Sequence, residues 1–119
     1  MSSGIKTVAV CGAGGTMGAG IAIVAARAGF QTISFDVETA PLDGAGSQTE
    51  AFFEKSVARG KMSAEEREAT LALMTSTTSL DDLAAADLVI EAIFENLSVK
   101  QDLFAKLDAI CPADTILAS

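Results

Sequence analysis

Histidine, tyrosine and tryptophan are absent from this 119-residue chain, and proline and cysteine occur twice each. The missing histidine removes the side chain that usually moves protons near neutral pH, so a site built from these residues alone works without an imidazole. The cysteines, Cys11 and Cys111, stand far apart with no metal-type partner near either. Cys11 closes an apolar run and reads as a small buried hydrophobe. A reducing cytoplasm is the expected compartment. Basic residues are scarce: eight Lys and Arg face sixteen Asp and Glu, for a net charge of −8. That balance repels a phosphate backbone and argues against nucleic acid. No apolar run approaches the roughly 20 residues of a membrane span, and no signal peptide is expected.

Half of the residues are apolar, which suits one globular domain with its own core over 1–119. Ile5 to Cys11 (IKTVAVC) is short, apolar and rich in β-branched residues, the pattern of a strand buried on both faces. The stretch G-A-G-G-T-M-G-A-G follows. A helical pattern then runs from Gly18 to Ala28, with Ile21, Val24, Ala25 and Ala28 on one side and Gly29 as its C-cap glycine. Thr32 to Phe35 is a second strand, ending at Asp36. Residues 5–36 thus form a βαβ unit with a glycine turn and a terminal acid.

Between 38 and 73 the periodicity predicts a helical hairpin. Leu42, Phe52, Phe53 and Val57 mark the first helix, whose start Gly44 and Gly46 weaken by about 1 kcal/mol each. It ends near Arg59-Gly60-Lys61. Ser63 and Glu66 have capping-box spacing for the second helix, through Leu71 to Met74. Ser76 to Ser79 reads as a short third strand. Asp81 or Asp82 is expected to cap a brief helix to Ala86, and Leu88 to Ile93 is strand four. A capping box at Ser98–Gln101 opens a helix carrying Leu103, Phe104, Leu107 and Ile110, stopped by Pro112. Thr115 to Ala118 is strand five. Alternating elements imply an α/β fold: a Rossmann-type doubly wound parallel sheet with a helical hairpin inserted after the second strand.

In such sheets ligands bind beyond the carboxyl ends of the strands, where the glycine turn, Asp36 and Glu95 all fall. A helix N-terminus with close-approaching glycine backbone holds a pyrophosphate. Asp36 can accept both hydroxyls of an adenine ribose. With Glu38 beside it and no arginine near, it favours NAD over NADP. The turn fits G-x-G-x-x-G poorly, because Met17 occupies the third glycine position. Two registers are open. In the first, Gly12 and Gly14 keep their roles while the loop bulges at Gly15, which is favoured because glycine accepts positive φ at little cost. Alternatively, Ala13, Gly15 and Gly18 take the three positions and strand one shifts by one residue, exchanging its faces. A Gly14-x-x-x-Gly18-x-Gly20 parsing would suit short-chain dehydrogenases, but those use a tyrosine that this chain lacks.

The stretches V8-A9-V10-C11-G12-A13-G14-G15-T16-M17-G18-A19-G20-I21-A22 and I90-E91-A92-I93-F94-E95-N96-L97-S98-V99-K100-Q101 resemble the NAD-binding half of L-3-hydroxyacyl-CoA dehydrogenases, including the 3-hydroxybutyryl-CoA enzymes. The likeness covers the whole chain and includes the hairpin; the family's usual turn, G-A-G-x-M-G, is one residue shorter. It implies NAD as cofactor, held by Gly12, Gly14, Gly15, Thr16, Met17, Gly18, Asp36, Ala92, Glu95 and Lys100. Met17 would cover the cofactor, and Glu95 and Lys100 would lie near the nicotinamide-side ribose. Lys61 would approach the nucleotide of an acyl-CoA substrate. The family's catalytic His–Glu pair would follow strand five, so no catalytic residue is assigned here. These 119 residues alone are expected to bind NAD weakly, to lack dehydrogenase activity and to self-associate through bare apolar surface. The competing readings are a β-hydroxyacid dehydrogenase, disfavoured by the hairpin and the E-N-L-x-V-K block, and a non-catalytic nucleotide-binding module.

Overall fold

The computed structural model describes residues 5–14, 16–92, 97–111 and 115–118. Five parallel strands lie in the order β3-β2-β1-β4-β5: β1 Thr7–Cys11, β2 Gln31–Phe35, β3 Met74–Thr77, β4 Leu88–Glu91 and β5 Ile116–Ala118. Helices α1 (Thr16–Arg27), α2 (Thr39–Ala58), α3 (Ala64–Ala72) and α4 (Leu97–Ile110) connect them, with a 3₁₀ turn at Leu80–Ala85. Successive side chains of β1 serve opposite faces, as a pleated strand requires. Val8 and Val10 join Ala13, Ala22, Ala25 and Leu42 under α1 and α2. Ala9 and Cys11 join Phe35, Leu83, Leu103 and Leu107 under the 3₁₀ turn and α4. Both faces of the sheet are therefore covered, and the hairpin α2–α3 connects β2 to its neighbour β3.

Several boundaries differ from the sequence reading. Helix α1 begins at Thr16, two residues before Gly18. Helix α2 forms as expected and runs unbroken through Gly44 and Gly46. Burial of Leu42, Thr49, Phe53 and Ser56 outweighs the glycine penalty, because packing supplies most helix stability in proteins. Pro41 falls in the first turn of α2, where a missing N–H removes no helical bond. Strand β3 starts at Met74, not Ser76, since its register is set by pairing with β2 from Thr32 onward. The brief helix is a 3₁₀ turn with Ser79 as N-cap, and the Asp82 carboxylate accepts the Thr77 hydroxyl at 2.5 Å. Helix α4 already includes Leu97, so Ser98 lies within its first turn and not at a cap. The box at Ser63 and Glu66 does form, with both reciprocal bonds, and the two Ser63 groups hold the Glu66 carboxyl below its ordinary range. No helix among the described residues is long and apolar enough to cross a membrane.

Candidate functional site

The carboxyl ends of β1, β2 and β4 meet at one edge of the sheet, with Cys11 in register with Phe35 on one side and Glu91 on the other. The chain turns sharply on leaving β1. Gly12 has φ +79°, a region where a Cβ crowds the backbone. Helix α1 then passes so close that a Cβ on Gly18 would overlap the Gly12 carbonyl and lie 2.9 Å from the Ala13 Cα. Gly12 thus makes the tight turn and Gly18 permits the strand-to-helix approach, one position further apart than G-x-G-x-x-G allows. The shifted register fails: Ala13 is buried with Val8 and Val10, and the left-handed residue is Gly12. The proposed bulge position, Gly15, lies outside the described residues, as does Glu95.

Three successive turn amides are spent on the end of β2. Gly12 and Ala13 donate to the Phe35 carbonyl at 2.9 and 3.1 Å. The Gly14 amide donates to Asp36 Oδ2 at 3.1 Å, while Asp36 Oδ1 accepts the Val37 amide at 2.8 Å. A Cβ on Gly14 would overlap the Pro41 side chain and sit 2.7 Å from Asp36 Oδ2, so only glycine lets the turn rest there. Among the described residues, the amides left for an anion are those of the first turn of α1, which starts at Thr16. They have no intrahelical acceptor and carry the positive end of the helix dipole. Met17 follows with 45% of its surface exposed, so it is not a core residue.

Asp36 is half-buried and uses two of its roughly four acceptor positions on backbone, leaving the rest for hydroxyl donors. Val37 beside it is 75% exposed, an apolar surface that the sequence reading passed over. Ala92 is buried, and its amide extends the ladder to the Cys11 carbonyl at 2.9 Å. Lys100 falls in the first turn of α4. Beneath the turn, the buried Cys11 thiol is pushed up to about 12 by desolvation, then by the charges of Glu91, Cys111 and Asp36. Among the described residues, no cluster of His, Cys, Asp or Glu is arranged to hold a metal ion.

Lys61 lies away from this edge, in a basic pocket of about 300 Å³ with Arg27, Lys55 and Arg59. The Arg27 guanidinium stands 5.8 Å from the Phe52 ring centre. Sequence spacing did not reveal this gathering, because Arg27 comes from α1 and the others from α2 and the loop after it.

Residues 7–119 match the family model described as 3-hydroxyacyl-CoA dehydrogenase, NAD binding domain. The whole chain is 46% identical to part of a 3-hydroxyadipyl-CoA dehydrogenase of Escherichia coli, covering 25% of that protein. It is 42% identical to a 3-hydroxybutyryl-CoA dehydrogenase of Mycobacterium tuberculosis, covering 42% of it. A crystal structure of 3-hydroxybutyryl-CoA dehydrogenase from Escherichia coli superposes on 95% of this chain and 24% of its own, with a TM-score of 0.91 and 48% identity. The chain therefore spans a quarter to two fifths of the length of these curated relatives.

Proposed function

The chain belongs to the 3-hydroxyacyl-CoA dehydrogenase NAD-binding domain family, and from that premise we propose that it presents NAD for hydride transfer to and from the 3-hydroxyl of a 3-hydroxyacyl-CoA. The observation that carries this reading is the contact between Gly14 and Asp36, which joins the phosphate turn to the ribose-selecting acid. The first-turn amides of α1, from Thr16 through Met17 to Gly18, hold the pyrophosphate. Gly12 and Gly14 shape the turn, and their own amides remain bonded to the end of β2. Asp36 accepts the adenine ribose hydroxyls with its remaining lone pairs and repels a 2′-phosphate. Val37 offers the adenine an apolar surface. Met17 shields the cofactor, Ala92 walls it, and the family resemblance gives Glu95 and Lys100 the nicotinamide-side ribose. When bound, NAD supplies the hydride acceptor.

The pocket of Arg27, Lys55, Arg59 and Lys61 gathers four of the eight basic residues of an otherwise acidic chain. It suits the phosphates of the CoA nucleotide, with Phe52 at its side. The reading gives these 119 residues the cofactor and not the proton transfer, since they contain no histidine.

Calorimetric titration of the chain with NAD and NADP tests the reading. Saturable NAD binding with NADP much weaker is expected. Equal affinity for both would remove Asp36 as the selecting group, and binding of neither would remove the cofactor role from this chain.

A further inference from the structure

A second cavity, of about 250 Å³, lies between α1, α2 and the β2–β3 side of the sheet. Its walls include Ala13, Ala22 and Leu42, and its rim includes the exposed Gly46 and Glu50 of α2. Space here is built in by small residues: a Cβ placed on Gly46 meets no atom within 4 Å. At the floor, Ser34 of β2 is only 9% exposed, and its hydroxyl makes no hydrogen bond among the described residues. The Ser34 hydroxyl keeps some contact with the cavity, where a polar group or a water can reach it. An aromatic ring with one polar substituent fits a void of this size, since dry cavities of about 150 Å³ already admit benzene.

The charge of the lining narrows the ligand. Among the described residues that line it, Glu50 is the sole ionisable side chain, with no lysine or arginine. The cavity therefore disfavours anions, including the phosphates of nucleotides and CoA. We propose that it is a binding site for a small organic cation, a ring-sized amine whose ring enters past Gly46 and whose ammonium group stays at Glu50. The Ser34 hydroxyl then meets a polar substituent or a water carried in with the ring. Ala13 belongs both to this wall and to the glycine turn, so an occupant touches the back of that turn. The proposal goes beyond the cofactor reading and does not depend on it.

Benzylamine is the probe, followed by saturation-transfer NMR on the full 119-residue chain at millimolar concentrations, with benzyl alcohol and benzoate as comparators. Saturable benzylamine binding, with benzoate silent, is expected. Gly46→Leu fills the void and abolishes binding, with circular dichroism confirming the fold. Glu50→Gln, at an exposed position, weakens benzylamine about fivefold while leaving benzyl alcohol unchanged. No saturable binding to the unmodified chain, or binding that survives Gly46→Leu, overturns the site. Benzyl alcohol or benzoate binding as tightly as benzylamine overturns the cationic class. The Glu50→Gln comparison decides if Gly46→Leu does not fold: equal benzylamine affinity in that variant sinks the proposal.

Discussion

The Gly14 amide and the Asp36 carboxylate are hydrogen-bonded at 3.1 Å across 22 positions of sequence. One side chain thus fixes the glycine turn and, in the proposed function, selects the ribose. Asp36→Ala should cost the chain twice. NAD affinity should fall about tenfold to a hundredfold, the range for losing hydrogen bonds to a charged group. Urea unfolding should shift by about 1 kcal/mol from the unpartnered turn amide. NADP should lose far less, so the ratio of the two affinities measured by calorimetry should narrow. An unchanged ratio would deny Asp36 the selecting role.

Two glycines of α1 should respond to alanine with opposite signs. At Gly18 the new Cβ overlaps the Gly12 carbonyl, which is backbone and cannot swing aside. Overpacking of this kind costs about 1–3 kcal/mol. At Gly20 the Cβ meets nothing within 4 Å, so Gly20→Ala should stabilise by up to about 1 kcal/mol through helix propensity. Denaturant midpoints of the two variants against the parent chain check both signs.

The thiols should differ in reactivity. Cys11 is fully buried and its thiol is pushed up to about 12, chiefly by desolvation, so almost no thiolate exists at pH 8. Cys111 is partly exposed; burial and then Asp108 raise it as well. Titration with a chromogenic disulfide on the folded chain should modify Cys111 slowly and leave Cys11 intact until denaturant is added. Rapid labelling of both would contradict the burial of Cys11.

Asp87 gives an acid limb to stability. Its carboxylate accepts the amides of Lys6 at 2.9 Å and Thr7 at 3.0 Å, and these donors hold its carboxyl below the unfolded value of 3.8. A depressed folded value means stability that is complete above the unfolded value and is lost as pH falls through the folded one. The melting temperature of the parent chain should therefore exceed that of Asp87→Ala at neutral pH. The gap should narrow once the pH drops below about 3.8. A gap that is constant from pH 7 to pH 2 would exclude the ionised carboxylate as its cause.

Much of this was legible in the residue order. The unit from β1 to Asp36 was readable because strand and helix periods differ, and because glycine and a terminal acid punctuate it. Ser63 and Glu66 announced their reciprocal cap through spacing alone. Helix α2 was legible despite Gly44 and Gly46, whose local penalty is overcome by the packing of Leu42 and Phe53. The start of β3 was displaced because pairing with β2, not the residues of β3 themselves, sets where the strand begins. Gly14 touching Asp36, and Arg27 joining Lys55, Arg59 and Lys61, are encounters between distant segments that leave no periodic trace. The space beside Gly46 is likewise an absence of atoms, which no residue pattern spells out.

The strand order also carries a timetable. Synthesis delivers β1, β2 and β3 first, and these three lie side by side on one flank of the sheet. That half can assemble as soon as Thr77 clears the ribosome. The opposite edge of β1 then stands unpaired until Leu88–Glu91 arrive. At roughly 5–20 residues per second the interval lasts on the order of a second. During it, Val8 to Cys11 offer an apolar, ungated template to any neighbouring nascent chain. The central strand of the finished sheet is thus the exposed one of the growing polypeptide, and slower translation between Thr77 and Leu88 lengthens that exposure.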